Sequence, residues 1–219
     1  MNKNIFDTNA KKIKELHFRQ TIEDFNFLTK KYTNNLLVGE VYVWDLVEKL
    51  SLVIDPTDRE LYGVSQWIHT LQVLDGMEKD NIQDPEILLA GILHDVGKIL
   101  LLFGELPENV VCDNDLLNKD AIGLNNCYFN WNHDEFAYLK FKNYVPDKIS
   151  KIIRYHSIKM NILTNNNIMT NDDILFVENY LIPFRKWDKT TKSIYNIPNV
   201  DISYYKDLVF SFFPKKIKF

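Results

Sequence analysis

The chain has 219 residues, with 26 lysines and arginines against 30 aspartates and glutamates, so its formal net charge is −4 at pH 7. The pI is about 5.7 and charges of both signs are interspersed, which gives no electrostatic reason to expect nucleic acid or an anionic membrane as partner. A small-molecule partner is the better expectation.

Signs of export or membrane insertion are weak. Cys112 and Cys127 are too few for a disulfide framework, and the opening MNKNIFDTNAKKIKELHF lacks the apolar stretch of a signal peptide. No apolar run approaches the roughly 20 residues of a membrane-spanning helix. We therefore expect a cytoplasmic monomer or small homo-oligomer. No linker-like stretch divides the chain, so residues 1–219 are predicted to form one domain, with residues 1–37 as an N-terminal helical segment packed on it.

Apolar residues recur at intervals of three and four along the chain, and glycine is scarce. This period predicts an all-α fold, a helical bundle that needs no strands. Asp84 followed by Pro85 predicts a helix N-cap with proline in the first turn, Gly97 predicts a turn, and Gly104 predicts the end of a short helix. The predicted helices lie near residues 9–31, 39–53, 59–78, 85–94, 98–103, 131–142, 147–158, 171–186 and 202–213.

The stretch LLAGILHDVGKILLLF, residues 88–103, places a histidine, an aspartate and a lysine inside an apolar helical run. Burying an imidazole beside a carboxylate is costly unless a proton, a polar partner or a metal ion satisfies both groups. Imidazole and carboxylate together suit a borderline divalent metal, and a bridging carboxylate lets one aspartate hold two ions. The pair His94–Asp95 is therefore a candidate for metal binding.

Four of the five histidines lie in predicted helices or at their ends, among aromatic and aliphatic neighbours. They are His69, His94, His133 and His156, in the segments SQWIHTLQ, GILHDVGK, FNWNHDEFAY and IIRYHSIK. Each has another interpretation: His69 could be a hydrogen-bonded core residue, His133 a helix N-terminal residue, and His156 a charge that complements a helix dipole. Asp188, in RKWDKTTK, could pair with a neighbouring lysine. Taken together, the clustering around an His-Asp pair favours a metal site.

The order His69, His94–Asp95 and a distal aspartate resembles the HD-domain superfamily, whose members are helical metal-dependent phosphohydrolases and, in one branch, oxygenases. Four segments are similar to the myo-inositol oxygenase family: LHDVGKILLLFGELPENVVCD, WNHDEFAYLKF, IIRYHS and PFRKWDKTTKSIYNIPNVDISYYKDLV. The similarity extends from about Gln20 to the C-terminus. It implies a non-haem di-iron oxygenase with a mixed-valent Fe(II)/Fe(III) pair. Such an enzyme uses O₂ to cleave a C–C bond of myo-inositol or a related cyclitol, giving a uronic acid such as D-glucuronate.

The resemblance also implies roles for individual residues. Six would be metal ligands: His69, His94 and Asp188 at one iron, His133 and His156 at the other, and Asp95 bridging the two. Five would contact the polyol substrate: Asp55, Lys98, Asp113, Ser157 and Lys192. Asp95 and Lys98 would take part in catalysis, because a lysine near a bound polyol stabilises the negative charge that deprotonation creates.

Three features depart from the family's pattern. No counterpart of the family's substrate-covering N-terminal segment is found before Ile5. The loop between Asp113 and His133 is shorter than in the animal members of the family. Cys112 and Asn132 stand where the family has glycine. The predicted metal ligands are all kept, whereas the altered parts are those that select the substrate.

Three other functions stay open. An HD-type di-iron site could act on a hydroxy- or aminophosphonate and cleave a C–P bond. The second is metal-dependent hydrolysis of a nucleotide phosphate, the commonest activity of the superfamily. Such hydrolases also contain the HD-G-K pattern. A non-catalytic helical binding module with a degenerate site is the third. The combination of Asp113, Ser157 and Lys192 with the histidines favours the oxygenase.

Overall fold

The computed structural model describes residues 3–118, 120–165 and 167–219. Most of these residues are helical, which confirms the all-α prediction, and no described helix combines the length and hydropathy needed to cross a lipid bilayer. In chain order the α-helices are α1 (Lys3–His17), α2 (Ile22–Asn34), α3 (Val43–Lys49), α4 (Gln66–Lys79), α5 (Pro85–Leu93), α6 (His133–Phe141), α7 (Asp147–Tyr155), α8 (Met160–Leu163), α9 (Asn171–Phe176), α10 (Ile182–Thr190) and α11 (Ile202–Phe212).

Shorter elements connect these helices. The segments Leu50–Leu52, Val96–Phe103, Pro107–Asn109 and Leu124–Asn126 are 3₁₀-helices. Gly104 ends the second of them with φ +79°, a conformation that glycine adopts without strain. Two strands of two residues each, β1 (Glu40–Val41) and β2 (Ile217–Lys218), pair antiparallel. The all-α prediction did not include this small pair, which adds two short strands to the helical fold.

The first predicted helix, residues 9–31, is two helices in the structure. The hydroxyl of Thr21 accepts a hydrogen bond from the backbone N–H of Asp24, and the Asp24 carboxylate accepts one from the backbone N–H of Thr21. This reciprocal capping box starts α2 and separates it from α1.

The second and third predicted helices begin later than expected, at Val43 and Gln66. The residues before Gln66 are irregular because the side chains of Asp55 and Asp58 each accept a hydrogen bond from the backbone N–H two residues further on. Such turns compete with helix formation. They also place both carboxylates beside the start of α4.

Gly97 has a different role from the predicted turn, since it lies inside the 3₁₀-helix Val96–Phe103. A Cβ atom added at Gly97 would lie 2.1 Å from the backbone oxygen of His133. The absence of a side chain therefore lets the segment after Asp95 approach the start of α6.

The predicted helix 171–186 continues to Thr190 through a π-helical segment, Val177–Leu181, between α9 and α10. Pro183 stands at the start of α10 and has no backbone N–H to donate, so the regular hydrogen-bond ladder is interrupted there. The longer helix carries Asp188 towards α4.

The main apolar core lies between α2, α3, α4, α5, α6, α7 and α11. Trp44, Leu89, Phe136 and Ile149 are among its fully or almost fully buried side chains. α6 packs on α7, α7 on α5, and α5 on α4. This packing brings the histidine-bearing ends of these helices to one place.

Candidate metal centre

Six buried side chains from five parts of the chain meet in the middle of the bundle. His69 comes from α4, His94 and Asp95 follow α5, His133 begins α6, His156 follows α7, and Asp188 lies in α10; none is more than 5% exposed. Their ligand atoms form two overlapping groups, each within 4.8 Å: His69, His94 and Asp95, and Asp95, His133 and His156. Asp95 belongs to both groups.

Each oxygen of the Asp95 carboxylate faces one pair of histidines. Oδ2 lies 3.6 Å from Nε2 of His69 and 3.4 Å from Nε2 of His94. Oδ1 lies 3.0 Å from Nε2 of His133 and 3.6 Å from Nε2 of His156. A carboxylate placed in this way can bridge two cations.

Asp188 adds a second carboxylate to the first group only. Its Oδ1 lies 3.1 Å from Nε2 of His69 and 4.0 Å from Nε2 of His94. The direct contact of Asp188 is therefore a histidine, while the neighbouring Lys192 acts on it through charge at longer range.

Backbone carbonyl groups orient three of the four imidazoles. In each case Nδ1 lies 2.7 to 2.9 Å from a carbonyl oxygen: His94 from Gly91, His133 from Val110, and His156 from Ile153. Because a carbonyl oxygen only accepts, Nδ1 carries the proton and Nε2 keeps a lone pair for a cation. Metal-binding histidines are commonly held by such a second hydrogen bond.

The centre holds buried polar atoms that a cation would satisfy. Nε2 of His133 and Oδ1 of Asp134 lie 2.9 Å apart, and neither makes a well-directed hydrogen bond within the described part of the chain. Burial lowers the pKa of His133, but the carboxylates of Asp134 and Asp95 outweigh burial and raise it to about 10. Positive charge at this nitrogen, from a proton or a metal ion, is strongly favoured.

The two carboxylates of the cluster are ionised. Burial raises their pKa values, but Lys98 and His94 outweigh it at Asp95, and His69 and Lys192 outweigh it at Asp188, so both pKa values lie well below the usual range. Burial lowers the pKa of His69 to about 4, which keeps this ring neutral. Imidazole nitrogens with ionised carboxylates and no thiolate fit iron, manganese, cobalt or zinc.

A cavity of about 390 Å³ opens onto one side of this cluster. Its lining includes Asp95, His133, His156 and Asp188, whereas His69 and His94 lie behind them. All five predicted substrate contacts also line it: Asp55, Lys98, Asp113, Ser157 and Lys192. The structure therefore brings the predicted ligands and the predicted contacts to one place, and their roles stay predictions.

Lys98 donates to acceptors on three sides. Its Nζ lies 2.9 Å from Oε1 of Gln66, 3.0 Å from Oδ2 of Asp95 and 3.2 Å from Oδ2 of Asp55. Burial lowers the pKa of Lys98, but Asp95 and Asp55 outweigh it and raise the pKa above its ordinary value. Its three contacts and this raised pKa make Lys98 a hydrogen-bond donor in the structure.

Two further charged residues among the predicted substrate contacts, Lys192 and Asp113, differ in their burial and in the distance to their ion-pair partners. Lys192 places its Nζ 2.6 Å from Oδ2 of Asp58, and both side chains are mostly buried. Asp113 is half exposed at the cavity mouth, where Nζ of Lys189 lies 3.4 Å from its Oδ1.

One of the two altered positions, Cys112, lies in the cavity wall. Cys112 has φ +94°, in the left-handed region that favours glycine, and burial raises the pKa of its thiol to about 12. Lys14 of α1 and Phe18, which directly follows α1, line the same cavity. The N-terminal helix thus forms part of the wall although the sequence showed no counterpart of the family's covering segment before Ile5.

Gln66, Asp58 and Asp134 contact predicted site residues and were not themselves predicted. Asp134 follows His133 as Asp95 follows His94, so a second His-Asp pair was visible in the sequence. Gln66 precedes His69 by three residues and so shares its face of α4. Asp58 is the second aspartate of the segment IDPTD, after Asp55. No sequence feature near Asp58 identified Lys192 as its partner.

Comparisons with known proteins agree with the resemblance noted from the motifs. A family model described as myo-inositol oxygenase matches residues 7–117 and 115–219. Inositol oxygenase 1 of Arabidopsis thaliana is 28% identical over 242 residues, which cover 92% of this chain and 77% of that protein. Inositol oxygenase of Sus scrofa is 25% identical, with 92% and 84% covered. Inositol oxygenase of Dictyostelium discoideum is 25% identical, with 92% and 82% covered.

Proposed function

The chain belongs to the myo-inositol oxygenase family and is an oxygenase, and we propose that it uses O₂ to cleave a C–C bond of myo-inositol or a related cyclitol, giving a uronic acid such as D-glucuronate. The observation that carries the proposal is one cavity lined by four of the predicted metal ligands and by all five predicted polyol contacts. Its volume falls within the roughly 300–1,000 Å³ of small-molecule sites.

The proposed cofactor is a pair of iron ions. His69, His94 and Asp188 would hold one, His133 and His156 the other, and Asp95 both, in agreement with the two overlapping groups of ligand atoms. Bound iron supplies the redox chemistry with O₂ and the positive charge that acidifies a substrate hydroxyl.

Two lysine–aspartate pairs are the proposed polyol contacts. Lys98 pairs with Asp55 and Lys192 with Asp58, and all four residues line the cavity. A hydroxyl both donates and accepts hydrogen bonds, so alternating ammonium and carboxylate groups suit a ring that carries a hydroxyl on every carbon. The two ammonium groups stabilise negative charge when a hydroxyl loses its proton.

Two lysines of the cavity are already paired with carboxylates, Lys98 with Asp55 and Lys192 with Asp58. A neutral polyol can hydrogen-bond to both members of each pair, whereas a phosphate dianion would compete with the two aspartates for the ammonium groups. This favours a cyclitol over the phosphonate and nucleotide alternatives.

The proposal is tested with anaerobically purified, Fe(II)-loaded protein exposed to air and myo-inositol. We expect O₂ uptake that depends on myo-inositol and matches uronic acid formation. Phosphonates with Fe(II), and nucleotides with Mn(II), are assayed in parallel. Phosphate release from a nucleotide without any uronic acid would replace the proposal with a phosphohydrolase, and inorganic phosphate from a phosphonate would replace it with C–P cleavage.

A further inference from the structure

Asn132 is a fully buried amide just before His133, and its orientation is fixed by the backbone. Its Oδ1 lies 2.9 Å from the backbone N of Asp134, and its Nδ2 lies 3.0 Å from the carbonyl oxygen of Cys112. A backbone N–H only donates and a carbonyl only accepts, so these contacts identify each end of the amide. Nδ2 must then donate to the hydroxyl oxygen of Ser157, 3.1 Å away.

Asp134 faces the same hydroxyl and has no exposed surface. Its Oδ2 lies 2.5 Å from Oγ of Ser157 and 3.3 Å from the backbone N of Ser157. The backbone N–H marks Oδ2 as an acceptor. The hydroxyl proton of Ser157 therefore lies between Oγ and Oδ2, in a charge-assisted hydrogen bond.

These contacts leave the Ser157 hydroxyl able to accept one further hydrogen bond. A hydroxyl has one proton and two lone pairs. The proton goes to Asp134 and one lone pair accepts from Asn132, so within the part of the chain that the structure describes only the second lone pair is left for a ligand. Ser157 lines the cavity.

We propose that Asp134 and Asn132 are positioning residues that hold the Ser157 hydroxyl as a hydrogen-bond acceptor towards the cavity, so that Ser157 selects a substrate group that donates. The inference rests on the proposed function, because it takes a polyol as the substrate. A neutral hydroxyl meets the requirement, whereas a phosphate oxygen, a carboxylate or an alkoxide does not. The substrate hydroxyl at Ser157 is therefore not the one that loses its proton.

Cyclitol binding to the metal-loaded protein under anaerobic conditions tests whether Ser157 accepts a hydrogen bond from the substrate or donates one. myo-Inositol is compared with analogues in which one hydroxyl at a time is replaced by hydrogen or by a keto group, which accepts but does not donate. At the ring position that faces Ser157 we expect both analogues to bind about tenfold more weakly, the loss of one hydrogen bond. Ser157→Ala should abolish this penalty at that position alone. If the keto analogue binds there as well as myo-inositol does, Ser157 donates and the proposal is overturned.

Variants of Asp134 separate positioning from a general structural role. In Asp134→Ala the freed hydroxyl can donate, so the keto analogue should bind within about twofold of myo-inositol while the deoxy analogue stays weak. Asp134→Asn keeps an acceptor oxygen and should restore the wild-type pattern. Ser150→Ala is the matched control, since it removes a buried hydroxyl that donates to the Asp147 carbonyl in α7, the helix that His156 follows. An Asp134→Ala protein that still penalises the keto analogue would contradict the proposal.

A second measurement needs no substrate. In the Zn²⁺-loaded protein, the proton between Ser157 and Asp134 should give a downfield, exchange-protected NMR signal that disappears in Ser157→Ala and Asp134→Ala. Absence of this signal from the wild-type protein would overturn the positioning role. If the wild-type protein shows the signal but binds no cyclitol, the positioning role is supported and the proposed function is rejected. The failure of one proposal can therefore be distinguished from the failure of the other.

Discussion

The two halves of the metal centre use the same kinds of side chain in different surroundings. His69 and His94 have no exposed surface, and their half meets the cavity only through the carboxylates of Asp95 and Asp188. His133 and His156 line the cavity themselves. The first half is therefore shaped by the protein core, whereas the second half also forms the wall that a bound molecule contacts.

The largest effect should come from the residue that belongs to both halves. Asp95→Ala removes a carboxylate oxygen from each group of ligand atoms, so we expect fewer than one metal ion per chain and turnover reduced by at least about a thousandfold. Elemental analysis measures the metal content, and uronic acid formation measures turnover. Asp75→Ala, which removes an aspartate paired with Lys79 near the surface of α4, should change neither quantity. Two ions per chain in Asp95→Ala would rule out a shared ligand.

Single histidine variants should separate the two halves. His94→Ala and His156→Ala should each lower metal content from two ions to about one, and each should reduce turnover at least about a hundredfold. His156→Ala should also weaken cyclitol binding, because this ring lines the cavity, whereas His94→Ala should leave binding closer to wild type. Equal losses of cyclitol affinity in the two variants would remove the distinction between the halves.

The lysines of the cavity should affect chemistry without affecting metal content. Lys98→Met and Lys192→Met each remove a cation from the cavity wall, so kcat/KM should fall about 10²- to 10³-fold with two ions per chain retained. Lys186→Met, at the surface beside Asp80, is the control and should behave as wild type. Loss of metal from Lys98→Met would mean that this lysine supports the ligands and not the substrate.

The smallest effect should come from the scaffold. The Glu105 carboxylate accepts hydrogen bonds from Lys31, Tyr32 and Asn109. Burial raises its pKa, but the bonds from Lys31 and Tyr32 outweigh burial and lower it to about 2. Glu105→Gln should therefore lower the free energy of unfolding by about 1–3 kcal/mol at pH 7, without loss of metal.

The sign of the pH dependence follows from this lowered pKa. The stabilisation from Glu105 is fully present above the unfolded-state pKa, near 4.5, and is lost as the pH falls from there towards 2. Denaturant unfolding of the wild-type protein and of Glu105→Gln at pH 7 and pH 3 measures the difference in their free energies of unfolding. A stability difference that did not narrow at pH 3 would contradict this assignment.

Local signals explain which features were predictable from the sequence. The helices around His94 and His156 follow from the apolar period, and Asp84–Pro85 caps α5 as predicted. The capping box at Thr21 and the second His-Asp pair at Asp134 were equally local and were missed.

Other features depend on tertiary contacts that no local pattern contains. Lys98 meets Gln66 across 32 positions of the chain, and Lys192 meets Asp58 across 134. Gly97 is required by the carbonyl of His133, which approaches only when α6 packs in place.

If Asp95 joins two iron ions in one centre, as proposed, the iron content of the wild-type protein will show it. Anaerobic titration with Fe(II), followed by partial oxidation and EPR, should give two ions per chain and a spectrum of a coupled Fe(II)/Fe(III) pair. A single ion per chain, or two ions that show no magnetic coupling, would contradict the shared centre.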